Sequence, residues 1–331
     1  MMIHADLPLI DLHRHLDGSI RLETILDLGR THKLALPSFD LEELRPHVQV
    51  TTPQPGVMAF IAKFKWMVGV LADYDACRRV AYENVLDAEL EGIDYLELRF
   101  SPWFMAEPHQ LDPAGVVSAV IEGIEDGRRQ TSTKVNLIGI ISRTYGAEIG
   151  MRELEALLTR KDAFAALDLA GDEANYPAEW FEEHFRRGRE AGWQVTVHAG
   201  EAAGAESVWQ AINLLGATRI GHAARIEEDP ALMEYCLEHD IGIEANLTSN
   251  YQTSTVESLA LHPLKRWLDA GLLATINTDD PGISNIDLPD EFEYAAPQAG
   301  LTPDDTRRAQ QNACQIAFLS ADGKKALSAS R

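Results

Sequence analysis

The chain has 331 residues, 45% of them hydrophobic, enough for a sizeable buried core and too apolar for long disorder. A formal net charge of −23 repels phosphate backbones and anionic lipid, so nucleic acid and membrane surfaces are excluded as partners and a small molecule is favoured. Cys77, Cys236 and Cys314 are too scattered for a disulfide framework or a CxxC zinc site. With no basic-then-apolar leader and no apolar run near the ~20 residues of a membrane span, a cytoplasmic protein is expected.

Short β-branched apolar runs alternate with longer amphipathic stretches. The predicted strands are PLIDLHRH (8–15), DYLELRF (94–100), VNLIGIIS (135–142), AALDLA (165–170), QVTVHA (194–199), RIGHA (219–223), GIEANLT (242–248) and LATINT (273–278). Helical patterns lie between them at 75–92, 114–130 and 178–192, and glycines close them just before the next strand, as in EGIDYLELRF and EAGWQVTVHAGE. Eight strands joined by helical crossovers predict a (β/α)8 TIM barrel, one domain over 1–331. The long connection from about 19 to 93 must hold extra helices between strands 1 and 2. Within it, Val57, Phe60, Ile61 and Phe64 of GVMAFIAKFKWMVGVL share one helical face, which ordinarily means core.

The polar residues cluster at strand ends. Strand 1 ends in His13 and His15, strand 2 in Glu97 and Arg99, and strand 4 in Asp168 ahead of Gly171. Strand 5 ends in His198 and Glu201, strand 6 in His222, strand 7 in Asn246 and Ser249, and strand 8 in Asp279 and Asp280. The carboxyl ends of barrel strands are where this fold builds its active site. One histidine there is ordinarily a satisfied core residue; four with several carboxylates are not explained that way.

Residues i and i+2 of a strand face the same side, so His13 and His15 can present two imidazoles to one ion. Alone, HxH is a weak signal. A nitrogen from His198 and an oxygen from Asp279 complete an N3O set that suits zinc, five-coordinate once a water joins. Strand 4 offers no lysine, and Lys134 and Lys161 sit at strand entrances or in loops, which favours one metal over two. Zinc lowers the pKa of a bound water to about 7, and the nucleophile so formed needs a proton donor nearby. Glu201, three residues past His198, is the candidate acid/base; as an N-cap it would be redundant beside Glu206 and Ser207. His222 is placed to orient the nucleophile. Asp280 points away from Asp279 toward substrate, or else is a turn residue before Pro281.

Together DLHRHLDG, LELRFSP, LDLAGDE, VHAGE, IGHA, LTSN and INTDDP occur in the order and spacing of the adenosine deaminase family. The resemblance spans essentially the whole chain and is nearest to the bacterial adenosine deaminases of the metal-dependent amidohydrolase superfamily, including LIGIISRTYG and TSNYQTSTV. It implies one Zn2+ on His13, His15, His198 and Asp279, with hydroxide adding to purine C6 while Glu201 protonates N1 and His222 steers the attack. It further implies that the Gly171 amide binds N3 and Asp280 binds N7, that ammonia leaves, and that adenosine and 2′-deoxyadenosine become their 6-oxo products. Asp17 would take the ribose 5′-hydroxyl, where related adenine deaminases tend to carry a glutamate. It also disfavours a 5′-phosphate. Phe60 and Phe64 would wall the nucleoside. Two departures stand out: Ala223 where the family usually has glycine, and Asn246 where relatives often have cysteine or serine. The rival substrates are adenine and modified adenosines such as aminodeoxyfutalosine. A different barrel hydrolase acting on amides or cyclic imides, or a non-catalytic nucleoside-binding protein, fits the residues less well.

Overall fold

The computed structural model describes residues 1–50 and 52–329. Eight parallel strands run in sequence order: β1 (Ile10–His15), β2 (Tyr95–Phe100), β3 (Lys134–Ser142), β4 (Phe164–Ala170), β5 (Gln194–Ala199), β6 (Arg219–His222), β7 (Gly242–Ala245) and β8 (Leu273–Ile276). Just past β8, Asp279 bridges back to Arg14, its amide donating to the His13 carbonyl at 2.8 Å while the His15 amide donates to its carbonyl at 2.8 Å. That return closes the ring, and the fold is the (β/α)8 barrel expected. The strands are buried almost throughout, as a parallel sheet clad in helices requires.

The crossover helices follow the sequence reading with local differences. The helix before β2 spans Tyr74–Leu90 and starts on the Asp73 carboxylate, which accepts from the Ala76 amide; the one before β3 spans Pro113–Arg128, capped by Asp112. The pattern over 178–192 is two pieces, a 3₁₀ turn at Ala178–Phe181 and a helix at Glu182–Glu190. The stretch after VHAGE is a short helix, Ala205–Gln210, that widens into a π-turn over Ala211–Leu215. Between β1 and β2 lie helices Leu22–Thr31 and Leu41–Val48, then a broken run: helix Val57–Ile61, 3₁₀ turn Ala62–Phe64 and helix Lys65–Val68. No helix among the described residues is long and apolar enough to cross a membrane.

The last three strands end earlier than predicted. His222 and Ala223 adopt φ of 64° and 53°, which turns the chain out of β6. Leu247 and Thr248 are not strand: helix Leu247–Gln252 begins there, so Ser249 and Asn250 sit on a helical turn above the barrel. Asp279, at φ 64°, likewise follows β8 by three residues.

Inside the barrel the filling is charged rather than aliphatic. Glu244 of β7 receives Arg219 Nε at 2.6 Å, Arg99 Nη2 at 2.8 Å and Thr196 Oγ1 at 2.8 Å; Arg219 Nη2 reaches Glu97 at 2.5 Å and Arg99 Nη1 reaches Asp168 at 2.8 Å. All six side chains are buried, so each charge depends on its partners, and removing one costs about 3–5 kcal/mol. This network forms a rigid floor beneath the carboxyl ends of the strands.

Candidate active site

A cavity of about 230 Å³ opens above that floor at the strand ends. Its wall includes His15, Asp17, Phe60, Phe64, Gly171, His198, Glu201, His222, Asp279 and Asp280, drawn from segments up to 265 residues apart in the chain. These ten residues, expected from the sequence to hold metal, acid/base or substrate, converge on one space, and His13 lies beneath its surface; Glu97, Arg99, Asp168, Asn246 and Ser249, also at strand ends, do not line it.

His13, His15, His198 and Asp279 each offer one donor atom, all within 4.8 Å of one another. His13 Nε2 lies 3.1 Å from Asp279 Oδ1, His15 Nε2 3.3 Å from the same oxygen, and His15 Nε2 3.1 Å from His198 Nε2. The outer nitrogens explain this arrangement. His13 Nδ1 donates to Glu244 at 2.6 Å and His198 Nδ1 to Asp168 at about 3.0 Å, which leaves both Nε2 atoms as bare lone pairs turned inward. His13 Nε2 is buried with no hydrogen-bond partner. Ser249 Oγ donates to the far oxygen of Asp279 at 2.6 Å, leaving the near one toward the imidazoles. The lone pairs of His13 and His198 and the Asp279 carboxylate, each oriented from behind, together with the His15 imidazole beside them, fit a divalent cation with nitrogen and oxygen ligands.

Electrostatics separate the carboxyl groups. Asp279 is held well below the usual range, because His222 and the hydrogen-bonded His13 and His15 outweigh the upward push of burial. Burial, reinforced by the carboxylates of Asp279, Glu173 and Asp280, drives Glu201 well above it. Asp280 is driven up by burial and by Asp279 and Asp17. Burial raises Asp17 to about 6, so near neutral pH it is mostly ionised. Burial pushes His222 well below the ordinary imidazole range, so it is neutral. The site thus holds protonated and ionised carboxyls side by side, the usual division between acids and acceptors.

The backbone makes these placements possible. A Cβ on Gly18 would lie 1.8 Å from Asp280 Oδ1, so the glycine of DLHRHLDG is what admits that carboxyl. Gly171, at φ 110°, would drive a Cβ to 2.4 Å from Thr144 Oγ1. Ala223 takes up the left-handed conformation after His222 despite its side chain, a strain of about 1–2 kcal/mol tolerated beside the site. Phe60 and Phe64 are buried and meet edge to face at 6.4 Å, with Val57 and Ile61 beside them on the cavity wall.

Several supporting residues escaped sequence reasoning. The Glu173 carboxylate accepts from the amides of Gly200, Glu201, Ala202 and Ala203 at 2.6–3.1 Å, gathering the turn that carries Glu201. No Glu201 N-cap exists; Gly204 precedes the helix there. Arg143 Nη2 donates to the His198 carbonyl at 2.8 Å, and Glu244 backs His13. LDLAGDE contained Glu173, but nothing local marks a carboxylate whose partners lie 27 to 30 residues away.

A closed parallel barrel with a buried His3Asp cluster and a protonated glutamic acid at its mouth defines a hydrolase of the metal-dependent barrel class. The sequence matches the family model described as adenosine deaminase over residues 8–330. It is 58% identical over 325 residues to an adenosine deaminase of Vibrio parahaemolyticus, covering 98% of this chain and 97% of that one. It is 56% identical over 326 residues to one of Yersinia enterocolitica, covering 98% of each. The chain belongs to the adenosine deaminase family, a family of metal-dependent aminohydrolases. Among solved structures, an adenine deaminase from Arthrobacter aurescens superposes with a TM-score of 0.90 over 97% of each chain at 24% identity. An amidohydrolase from Burkhoderia ambifaria with bound Zn gives 0.89 over 100% of this chain and 93% of that one, also at 24%. Both share the fold.

Proposed function

We propose that this chain hydrolyses adenosine and 2′-deoxyadenosine to inosine and 2′-deoxyinosine with release of ammonia, using one Zn2+ held by His13, His15, His198 and Asp279. The observation that carries the reading is a single cavity that joins the cluster to a protonated Glu201 and to two carboxyl oxygens, Asp17 Oδ1 and Asp280 Oδ1, that are buried without partners.

A divalent ion in this cluster supplies Lewis acidity and makes water nucleophilic at neutral pH. The chain's residues do the rest. Glu201 delivers its proton to purine N1, which makes C6 electrophilic; the carboxylate so formed takes the proton of the hydroxyl added at C6 and passes it to the departing amine, which leaves as ammonia. Neutral His222, whose ring lies 3.6 Å from Glu201 and 3.9 Å from Asp279, orients the attack. Asp280, protonated, donates to N7; the Gly171 amide donates to N3; and ionised Asp17 accepts from the ribose 5′-hydroxyl. The Phe60–Phe64 wall excludes water from the base. The chain's free, buried cysteines suit a reducing cytoplasmic compartment.

The test is a substrate panel of adenosine, 2′-deoxyadenosine, adenine and 5′-modified adenosines, with metal quantified on the same sample. Conversion of adenosine to inosine with stoichiometric ammonia, one zinc per chain, and loss of at least about 100-fold in kcat for Glu201→Gln are expected. Preference for adenine, or full activity in that variant, refutes the assignment.

A further inference from the structure

Behind His222 runs a chain of hydrogen bonds that the reaction as described does not use. The Leu264 amide donates to His262 Nδ1 at 3.1 Å. His262 Nε2 lies 3.0 Å from Asn250 Oδ1, and Asn250 Nδ2 lies 2.9 Å from His222 Nδ1. Asn246 Nδ2 approaches the same His222 nitrogen at 3.3 Å. His222, Asn246, Asn250 and His262 are all buried, so water cannot substitute for any of these bonds.

Glu201 Oε1, 3.6 Å from His222 Nδ1, lies beyond hydrogen-bond distance, and donor and acceptor roles along the chain itself admit one solution. A backbone N–H only donates, so His262 Nδ1 is the acceptor and the His262 proton sits on Nε2. That N–H needs an acceptor, which fixes Asn250 with Oδ1 toward His262 and Nδ2 toward His222. His222 Nδ1 therefore accepts, and the proton of the neutral ring sits on Nε2. Reversing the Asn250 amide would ask both nitrogens of His262 to accept, which a neutral imidazole cannot do. Asn246 brings a second amide group to the same side, 3.3 Å from His222 Nδ1.

We infer that Asn250 and His262 are positioning residues that hold His222 as its Nε2–H tautomer, through a relay anchored on the Leu264 amide. The tautomer decides what His222 presents to the reaction: Nε2–H is the edge turned toward Asp279, so the site has a fixed donor there rather than a lone pair. Helix Leu247–Gln252 and the 259–264 turn thereby set the hydrogen-bonding sense of a residue on β6. The inference rests on the role given to His222 above, but its direct readout does not require turnover.

The experiment is 15N–1H correlation spectroscopy of the zinc-loaded enzyme carrying 15N-histidine, with His222 and His262 assigned by substitution. Both rings are expected as Nε2–H tautomers. His262→Gln keeps an N–H donor to Asn250 Oδ1 and is expected to preserve the His222 signal and kcat within about twofold. His262→Leu leaves that oxygen unpaired; the His222 signal should shift toward the Nδ1–H form, and kcat should fall at least tenfold with KM within about twofold. Asn250→Asp replaces the donor with an acceptor and should convert His222 to Nδ1–H, lowering kcat about 100-fold, the usual loss for one preorganised donor. An Nδ1–H signal for His222 in the unsubstituted protein overturns the relay, as does equal behaviour of His262→Gln and His262→Leu in folded protein. If adenosine were not a substrate, the spectra alone would still decide the matter, so the two failures are distinguishable.

Discussion

Glu173 holds Glu201 in place without touching its side chain: one Glu173 oxygen accepts from the Gly200 amide at 2.6 Å, the other from the amides of Glu201, Ala202 and Ala203 at 2.6–3.1 Å. In the proposed reaction Glu201 meets a substrate nitrogen at hydrogen-bond distance, and a loop that drifts by an ångström costs rate steeply. Glu173→Gln turns one acceptor oxygen into an amide donor facing these N–H groups. Stability should fall by about 2 kcal/mol, and kcat about 10- to 100-fold, while the cluster's metal content is unchanged. Urea denaturation, kcat and metal analysis on one preparation check this. A variant with full kcat would show that the turn is held by other means.

Ser249 acts on the cluster from the opposite side. Its hydroxyl occupies Asp279 Oδ2, which leaves Oδ1 toward His13 and His15. Ser249→Ala frees that oxygen and lets the carboxylate rotate. Metal affinity should drop about 10- to 100-fold, with Tm of the fully loaded protein little changed. Competition against a chromophoric chelator measures the affinity directly.

Asp17 is where substrate choice can be read. Its Oδ1 is buried without a partner, and its ionised form can only accept, which suits a hydroxyl donor. Asp17→Asn should lower kcat/KM for adenosine about 10- to 100-fold, the worth of a hydrogen bond to a charged group. The same change should leave 5′-deoxyadenosine nearly unaffected, since that substrate has no hydroxyl to lose. Equal losses on both substrates would place the effect of Asp17 elsewhere.

The convergence of the candidate site residues was legible in the sequence because each sits next to a strand end, and the eight-fold alternation says which strand ends share a mouth. HxH on β1 and the DDP after β8 are local patterns with chemical content. The residues that orient them were not legible. Glu244 is one acidic residue in GIEANLT, and only the barrel's closure puts it 2.6 Å from His13 Nδ1, 231 positions away. Left-handed backbone at His222, Ala223 and Asp279 was hidden for a related reason: none is glycine, and tertiary contacts rather than local preference hold them there. The same cause shortened β6 and β8 relative to the apolar runs that announced them. The predicted strand over 242–248 takes in Leu247 and Thr248 because a helix of six residues carries too little periodicity to distinguish.

Glu153 gives a pH dependence separable from catalysis. It lies on helix Gly146–Leu158, fully buried, accepting from the Ser142 amide at 2.7 Å and from the Ser101 hydroxyl. Burial raises its pKa from 4.5 to about 8, outweighing the hydrogen bonds that favour the charge. The folded protein therefore keeps this proton over a range where the unfolded chain has released it. Between pH 4.5 and about 8 the folded state binds more protons, so this group's contribution is full below 4.5 and is lost as pH rises through about 8. Each pH unit in that window costs up to ~1.4 kcal/mol from this group. Glu153→Gln keeps an acceptor for the Ser142 amide and removes the titration. Unfolding free energy measured by urea at pH 5.5, 6.5 and 7.5 should fall less steeply in the variant than in the parent. Parallel slopes would mean that Glu153 is ionised in the folded protein throughout this range, with the Ser142 and Ser101 donors stabilising the charge against burial.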